Sequence, residues 1–271
     1  MHDPFNISEL DLALRDTPFA GNLQFFPSIH STNTYAMQEA ENGAPEGMVY
    51  FSDEQTAGRG RGAHQWSSPP GSGLYVSVLL RPRIPPADVL WLSLAAGLAV
   101  RSAVEQVTSL TCDLRWPNDL LLGKRKFCGI LTELNAEVTR IRHVVVGIGI
   151  NVHQPAFPPE LSELATSLHI ETGREWPRQE LLAALLQSLQ REVLALSSPA
   201  TAREATQSIL SRLEQASSWI RGKQVRVEEM EGFSGVTEGL DSRGFLQVRT
   251  PQGLRTVYSG GVREPNSGSN R

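Results

Sequence analysis

The chain has 271 residues, 40% of them hydrophobic and 20% charged, with a formal net charge of -4. That composition fits a globular protein with room for one sizeable domain and a smaller one, and excludes a disordered or fibrous chain. The negative balance speaks against general nucleic-acid binding, which shows as a basic domain or stripe. By eye, no apolar run in the sequence approaches the ~20 residues of a bilayer-spanning helix. The N-terminus lacks a basic stretch followed by an apolar one, so no secretory signal is expected. Cys112 and Cys128 are the only cysteines, too few for a disulfide framework and not spaced as metal ligands. We expect reduced, buried thiols in a cytoplasmic protein without a membrane partner.

In chain order, Asn6–Arg15 reads as a short helix with Ser8 as its cap. The stretch from Phe25 is a strand that ends in Ser31-Thr32-Asn33 and runs into a helix over Thr34–Glu41. That helix stops at Asn42-Gly43, as helix-end chemistry predicts. Gly47–Phe51 and Gly73–Arg81 are strands, with Gln55-Thr-Ala-Gly-Arg-Gly-Arg-Gly-Ala-His-Gln-Trp66 between them. Ala87–Val107 has apolar residues at a helical period with small residues between, a core helix. Leu114–Trp116 is a short strand broken at Pro117. Leu120–Leu122 and Cys128–Leu134 form a hairpin about the turn Gly123–Lys126, and Ile141–Val152 is a long strand carrying Gly147-Ile-Gly-Ile-Asn151. An irregular segment, Leu164–Leu168, is expected to cover part of a site, followed by helices over Gln179–Leu196 and Ala200–Ser217. From Gly222 the texture changes to short strands, Gln224–Glu229, Gly235–Leu240, Phe245–Thr250 and Leu254–Tyr258, as in a small β-barrel. A polar tail, 265–271, closes the chain.

The stretch from Gln55 to Trp66 sets Arg59 and Arg61 among Gly58, Gly60 and Gly62. Glycines let a backbone close around a ligand, and guanidinium forks match carboxylate and phosphate oxygens. It reads either as a loop that folds over an anion or as a Gly-rich connection with solvated arginines. Ser31, Thr32 and Asn33 either cap the following helix or offer a ligand short polar groups at its N-terminus. Lys126 either belongs to the surface run with Lys124 and Arg125 or points into a cleft to steady developing negative charge. Asn118 and Asp119 suit a turn, Asn151 a strand end, and Trp66 and Trp116 a core. The glycines of 147–151 imply close approach of a backbone or ligand.

Taken in order, Ser31-Thr-Asn33, Gln55-Thr-Ala-Gly-Arg-Gly-Arg61 with Trp66, Arg115-Trp-Pro-Asn-Asp119, Lys126-Phe-Cys-Gly-Ile-Leu131 and Gly147-Ile-Gly-Ile-Asn151 resemble the signature of biotin protein ligases. The resemblance covers about residues 25–260. It implies an α+β fold: a mixed α/β catalytic domain (1–221) followed by a small SH3-like β-barrel (222–264). It implies activation of biotin by ATP and Mg²⁺ to biotinyl-5′-adenylate, then transfer to one lysine of a biotin carboxyl carrier domain. On the matching positions, Ser31, Thr32, Asn33, Gln55, Arg59, Gly60, Arg61 and Lys126 are expected to bind biotin. Arg59, Arg61, Trp66, Asn118, Asp119 and Asn151 are expected on the nucleotide side, with Lys126, Arg59 and Arg61 catalytic. Which residues hold Mg²⁺ is not legible, and a homodimer through the catalytic sheet is implied by the family alone.

The chemistry agrees with that resemblance. Attack of a carboxylate on ATP brings anions together, and an acyl adenylate must be kept from water. No GxxxxGK[ST] run is present, so a P-loop is not expected. The chain departs from the family pattern at Gly62–Gln65 and at Gly260-Gly261. Only 30 residues precede the Ser-Thr-Asn motif, so the winged-helix domain of ligase-repressors is not expected there, nor a nucleic-acid partner. A lipoate or octanoate ligase or transferase of the same fold is the nearest alternative; a biotin-responsive regulator and a non-catalytic biotin binder are more distant ones.

Overall fold

The computed structural model describes residues 5–62, 64–228 and 232–265. Its centre is a seven-stranded sheet: β1 (Leu23–Ile29), β2 (Val49–Gln55), β3 (Gly73–Leu80), β4 (Asp113–Arg115), β5 (Asp119–Leu122), β6 (Arg125–Ala136) and β7 (Ile141–Asn151). The spatial order is β1-β2-β3-β7-β6-β5-β4, parallel only between β1 and β2. Around it run α1 (Ile7–Ala13), α2 (Thr32–Glu41), α3 (Leu90–Thr108), α4 (Leu168–Thr172), α5 (Arg178–Ser197) and α6 (Ala202–Ala216).

Alternation along β7 assigns the two faces of the sheet. Val144, Val146, Ile148 and Ile150 join the main core with α3 and α5. Val145 faces the other way, packing with Tyr50 and Leu79 under Ala36 and Ala40 of α2. The second face is therefore only half covered by helix, because α2 begins at Thr32, midway along the sheet. Beyond its N-terminus the same face carries Gly147, Gly149 and, across the ladder, Gly129, where no side chain fills the surface.

Helix α3 corrects one expectation. The span Pro86–Thr108 is long and apolar enough by composition to cross a bilayer. Here that surface goes into the core, with α3 buried on nearly every face between the sheet, α5 and α6, as a helix apolar all round must be. The C-terminal segment forms a second, five-stranded antiparallel sheet of β8 (Arg221–Glu228), β9 (Phe233–Leu240), β10 (Leu246–Thr250), β11 (Gly253–Val257) and β12 (Gly261–Arg263), in the order β11-β10-β9-β8-β12. It is tied to the first part by Trp116, whose indole Nε1 donates to Gly244 O at 2.9 Å. Trp116 is thus a core aromatic.

Several boundaries move for local reasons. Asn6, not Ser8, caps α1, its side chain accepting from Glu9 N. α2 starts two residues early because Ser31 is the cap, its hydroxyl accepting from Thr34 N at 3.4 Å. It ends at Asn42, with Gly43 at φ +91° supplying the left-handed exit. β2 runs on to Gln55, and the β5–β6 turn is only Gly123-Lys124, so Lys126 lies within a strand. α4 was not expected at all; Ser167 caps it through Ile170 N. Both cysteines are buried free thiols, and burial pushes Cys112 up to about 12. The end of the expected strand at Glu229, Ala63 of the Gly62–Gln65 stretch and all of the polar tail after Pro265 lie outside the described residues.

Candidate active site

The site forms where α2 leaves the sheet face open. Thr32 and Asn33 sit in the first turn of α2 and are buried against β3, β6 and β7. Gln55 Oε1 accepts from Thr32 N at 2.9 Å and lies 3.1 Å from Thr32 Oγ1. Ser77 Oγ lies 2.8 Å from Thr32 Oγ1 and 2.6 Å from Asn33 Oδ1. The Asn33 amide donates to Leu131 O at 3.3 Å and to Glu133 at 2.9 Å. Capping and ligand docking, open alternatives in the sequence, are both met: Ser31 caps the helix, and Ser31, Thr32 and Asn33 all border the cleft.

The glycines of β6 and β7 are explained by what lies on them. A Cβ on Gly147 would fall 2.0 Å from Asn33 Oδ1, and one on Gly149 would fall 2.4 Å from Trp66 Nε1. Gly129 would meet Lys126 Nζ and the Trp66 ring, each at 3.0 Å. The approach is by side chains, and a floor without Cβ atoms lets an indole and an amide lie flat on the sheet.

The Arg/Gly stretch folds over this floor as a small hairpin. Trp66 N donates to Gly58 O at 2.9 Å, Gly60 N to His64 O at 2.8 Å, and Arg59 pairs with Gln65. Gly58 is required, since a Cβ there would lie 2.4 Å from Trp66 O. Arg59 forks onto Glu133, with Nη1 3.1 Å from Oε2 and Nη2 2.9 Å from Oε1. Arg61 Nη1 donates to Asn118 Oδ1 at 3.2 Å and to Gly260 O at 3.1 Å, which ties the hairpin to the C-terminal sheet. Burial lowers the Arg61 pKa, and the charge of Asp119 offsets part of that. Arg61 is thus docked, while Arg59 is paired with Glu133 and still exposed.

Lys126 enters from the opposite side. Its backbone is held by the 164–166 segment, with Lys126 N donating to Leu164 O and Thr166 N to Lys126 O. Its ammonium lies 2.5 Å from Asp119 Oδ1 and 5.2 Å from the centre of the Trp66 ring. Arg115 Nη2 lies 2.8 Å from Asp119 Oδ2. Burial alone would raise the Asp119 carboxyl, but the two cations outweigh it and hold the group below its ordinary range.

Ser31, Thr32, Asn33, Gln55, Arg59, Gly60, Arg61, Trp66, Asn118 and Lys126 all line one cleft. Asp119 stands behind Lys126. Asn151, 4% exposed, donates to Thr166 O at 3.0 Å and accepts from Gln154 Nε2 at 3.1 Å, so its amide is committed outside the cleft lining. The cleft has about 40 Å³ of free volume, walled in part by Trp66 and the Arg/Gly hairpin. Trp66 Nε1 is buried with no acceptor among the described residues.

Comparison with known proteins decides what this cleft belongs to. The pattern of the Biotin/lipoate A/B protein ligase family matches residues 25–151, and that of the Biotin protein ligase C terminal domain matches 221–262. The chain is 34% identical to the Bifunctional ligase/repressor BirA of Bacillus spizizenii over 258 residues, covering 94% of this chain and 78% of that protein. This chain belongs to the biotin protein ligase family. It is also 34% identical to the Biotin--[acetyl-CoA-carboxylase] ligase of Mycobacterium tuberculosis, over 84% of this chain and 82% of that one. In three dimensions it is similar to the biotin protein ligase from Aquifex aeolicus in complex with biotin and ATP, with a TM-score of 0.76 at 30% identity, covering 89% of this chain and 97% of that chain.

Behind the lining of this cleft, Ser77, Ser68 and Glu133 bond to Thr32, Gln55, Asn33 and Arg59 and were missed as site residues in the sequence. A serine in the middle of β3, otherwise apolar along most of its length, was a visible signal for Ser77. Glu133 lies on the same face of β6 as Gly129 and Leu131, two and one alternations along; nothing local marks it, because its partners Arg59 and Asn33 are 74 and 100 residues away.

Proposed function

We propose that the chain joins biotin to ATP and passes the biotinyl group to a lysine of a biotin carboxyl carrier domain. The observation that carries this reading is convergence: short polar groups from α2 and β2 and cations from the Arg/Gly hairpin and β6 meet over the glycines of β6 and β7 in one cleft. The apolar floor between them suits an aliphatic acid with a polar head. Thr32, Asn33 and Gln55 bind the uncharged polar head, and Lys126, Arg59 and Arg61 face its carboxylate and the phosphates.

In the first step a carboxylate oxygen attacks the α-phosphorus and pyrophosphate leaves, giving the mixed anhydride and placing extra charge on the reacting phosphoryl. Lys126 answers that charge, exchanging Asp119 for the phosphoryl oxygens. In the second step a lysine amine of the carrier attacks the acyl carbon, AMP departs, and an amide remains. The hairpin keeps water from the anhydride between the steps. Trp66 stacks on the nucleotide base, Asn118 orients Arg61, and Asp119 holds Lys126. Asn151 acts on the nucleotide side by fixing Thr166 beside Lys126. Mg²⁺ enters with ATP as the substrate salt; among the described residues no three His, Cys, Asp or Glu side chains converge to hold a resident ion. Residues 1–221 form the catalytic domain and 222–264 the C-terminal one, in a cytoplasmic enzyme that works on free biotin and ATP.

The test is ATP–pyrophosphate exchange by the purified chain with biotin or lipoate. Exchange with biotin alone is expected. Exchange with lipoate in preference would assign the same cleft to the alternative acid, and exchange with neither would overturn ligase activity.

A further inference from the structure

A continuous chain of polar contacts runs around the cleft and begins and ends on the same hairpin. From Arg59 it passes to Glu133, to Asn33, to Ser77, to Thr32 and to Gln55. Gln55 Nε2 then donates to Ser68 Oγ at 2.9 Å, and Ser68 Oγ to Trp66 O at 3.2 Å. Glu133 is the only carboxylate in that ring and, among the described residues, the acid that holds Arg59 to β6. Its side chain is 24% exposed against 45% for Arg59, so the acid is the fixed partner and the arginine the one drawn to it.

We propose that Glu133 is a positioning residue that anchors the hairpin closed through Arg59, so that retention of the acyl adenylate depends on it. A guanidinium has five N–H donors. The fork onto Glu133 takes two of them, and the others remain free to meet a ligand oxygen from the cleft that Arg59 lines. Glu133 therefore orients Arg59 without consuming it. Asn33 holds the carboxylate from the other side at 2.9 Å. Occupancy of the Thr32–Asn33 end by a ligand is thereby transmitted to the hairpin along the ring. The inference rests on the ligase reading above.

The test uses the full chain with biotin and Mg–ATP, measuring pyrophosphate exchange and, separately, free biotinyl-5′-adenylate released into solution. Glu133→Gln keeps the shape and removes the charge of the fork. Release is expected to rise about tenfold, the scale of one lost charge-assisted fork at a half-exposed site, with exchange falling by a smaller factor. Glu133→Asp recovers part of the retention. On an Arg59→Ala background, Glu133→Gln adds no further release, because the amide oxygen still accepts from Asn33 and only the arginine contact has been lost. Unchanged release in Glu133→Gln, tighter retention, or an effect additive with Arg59→Ala would each overturn the anchor. Absence of exchange in the unaltered chain would instead sink the ligase reading itself.

Discussion

Gly147 and Gly149 lie two residues apart on one face of β7, yet the same change to alanine should damage two different substrates. Neither has a positive φ, so alanine adds only a methyl group. At Gly147 that methyl meets Asn33 Oδ1 at 2.0 Å and Cγ at 2.7 Å. Asn33 cannot swing aside without losing its bonds to Ser77, Leu131 and Glu133. Overpacking costs about 1–3 kcal/mol and one broken bond about 1 kcal/mol more, so with the other bonds re-formed after a small shift we expect about 3 kcal/mol against the arrangement that holds the polar head. That is about a 100-fold rise in KM for biotin. At Gly149 the methyl meets Trp66 Nε1 at 2.4 Å, but this indole N–H has no acceptor to lose. Trp66 can shift with the hairpin, so about 1.4 kcal/mol and a tenfold rise in KM for ATP are expected. Pyrophosphate exchange titrated in each substrate separates the two. Equal effects of both variants on both substrates would refute the division of the floor into an Asn33 end and a Trp66 end.

Lys126→Ala removes the ammonium that faces the reacting phosphoryl; the exchange kcat should fall by about 10²–10³, with the thermal midpoint little changed because Arg115 still neutralises Asp119. A kcat within a few-fold of the unaltered chain would remove Lys126 from the chemistry. Arg61→Gly breaks the links to Asn118 and Gly260 O, so the adenylate should escape and label unrelated lysines; strict retention would show that the hairpin closes by other contacts. The Asp119 carboxyl is depressed by Lys126 and Arg115 against its burial. Its contribution to stability is therefore fully present above the ordinary aspartate pKa of about 3.9 and is lost as pH falls through the lower folded value. Asp119→Asn should cost about 3 kcal/mol at neutral pH by leaving two cations unpaired, and should flatten the acid limb of the denaturation midpoint below pH of about 4; an unaltered acid limb would contradict the pairing.

Residue order gave most of the elements, though not α4, and the resemblance to biotin protein ligases named the site residues. Apolar and β-branched runs between turn residues placed the strands of the main sheet, and a helical period placed α3; β3 and β7 are buried on both faces, so such runs rather than strict alternation mark them. The Ser31–Asn33, Gln55–Trp66, Arg115–Asp119, Lys126–Leu131 and Gly147–Asn151 segments together named ten residues that line one cleft. Local reading failed where the deciding partner is distant. The composition of Pro86–Thr108 does not say whether its apolar surface meets lipid or a protein core; the sheet and α5 decide that. Whether Arg59 and Arg61 face solvent is equally undecided until Glu133, Asn118 and Gly260 are brought beside them. Asn151 reads as a strand-end amide or, by the resemblance, as one on the nucleotide side, and its partners are set only where Thr166 and Gln154 fold back onto it. A side chain's period is fixed by its neighbours in sequence, but the use of its polar atoms is fixed by whatever the fold places within 3 Å or so, the reach of a hydrogen bond.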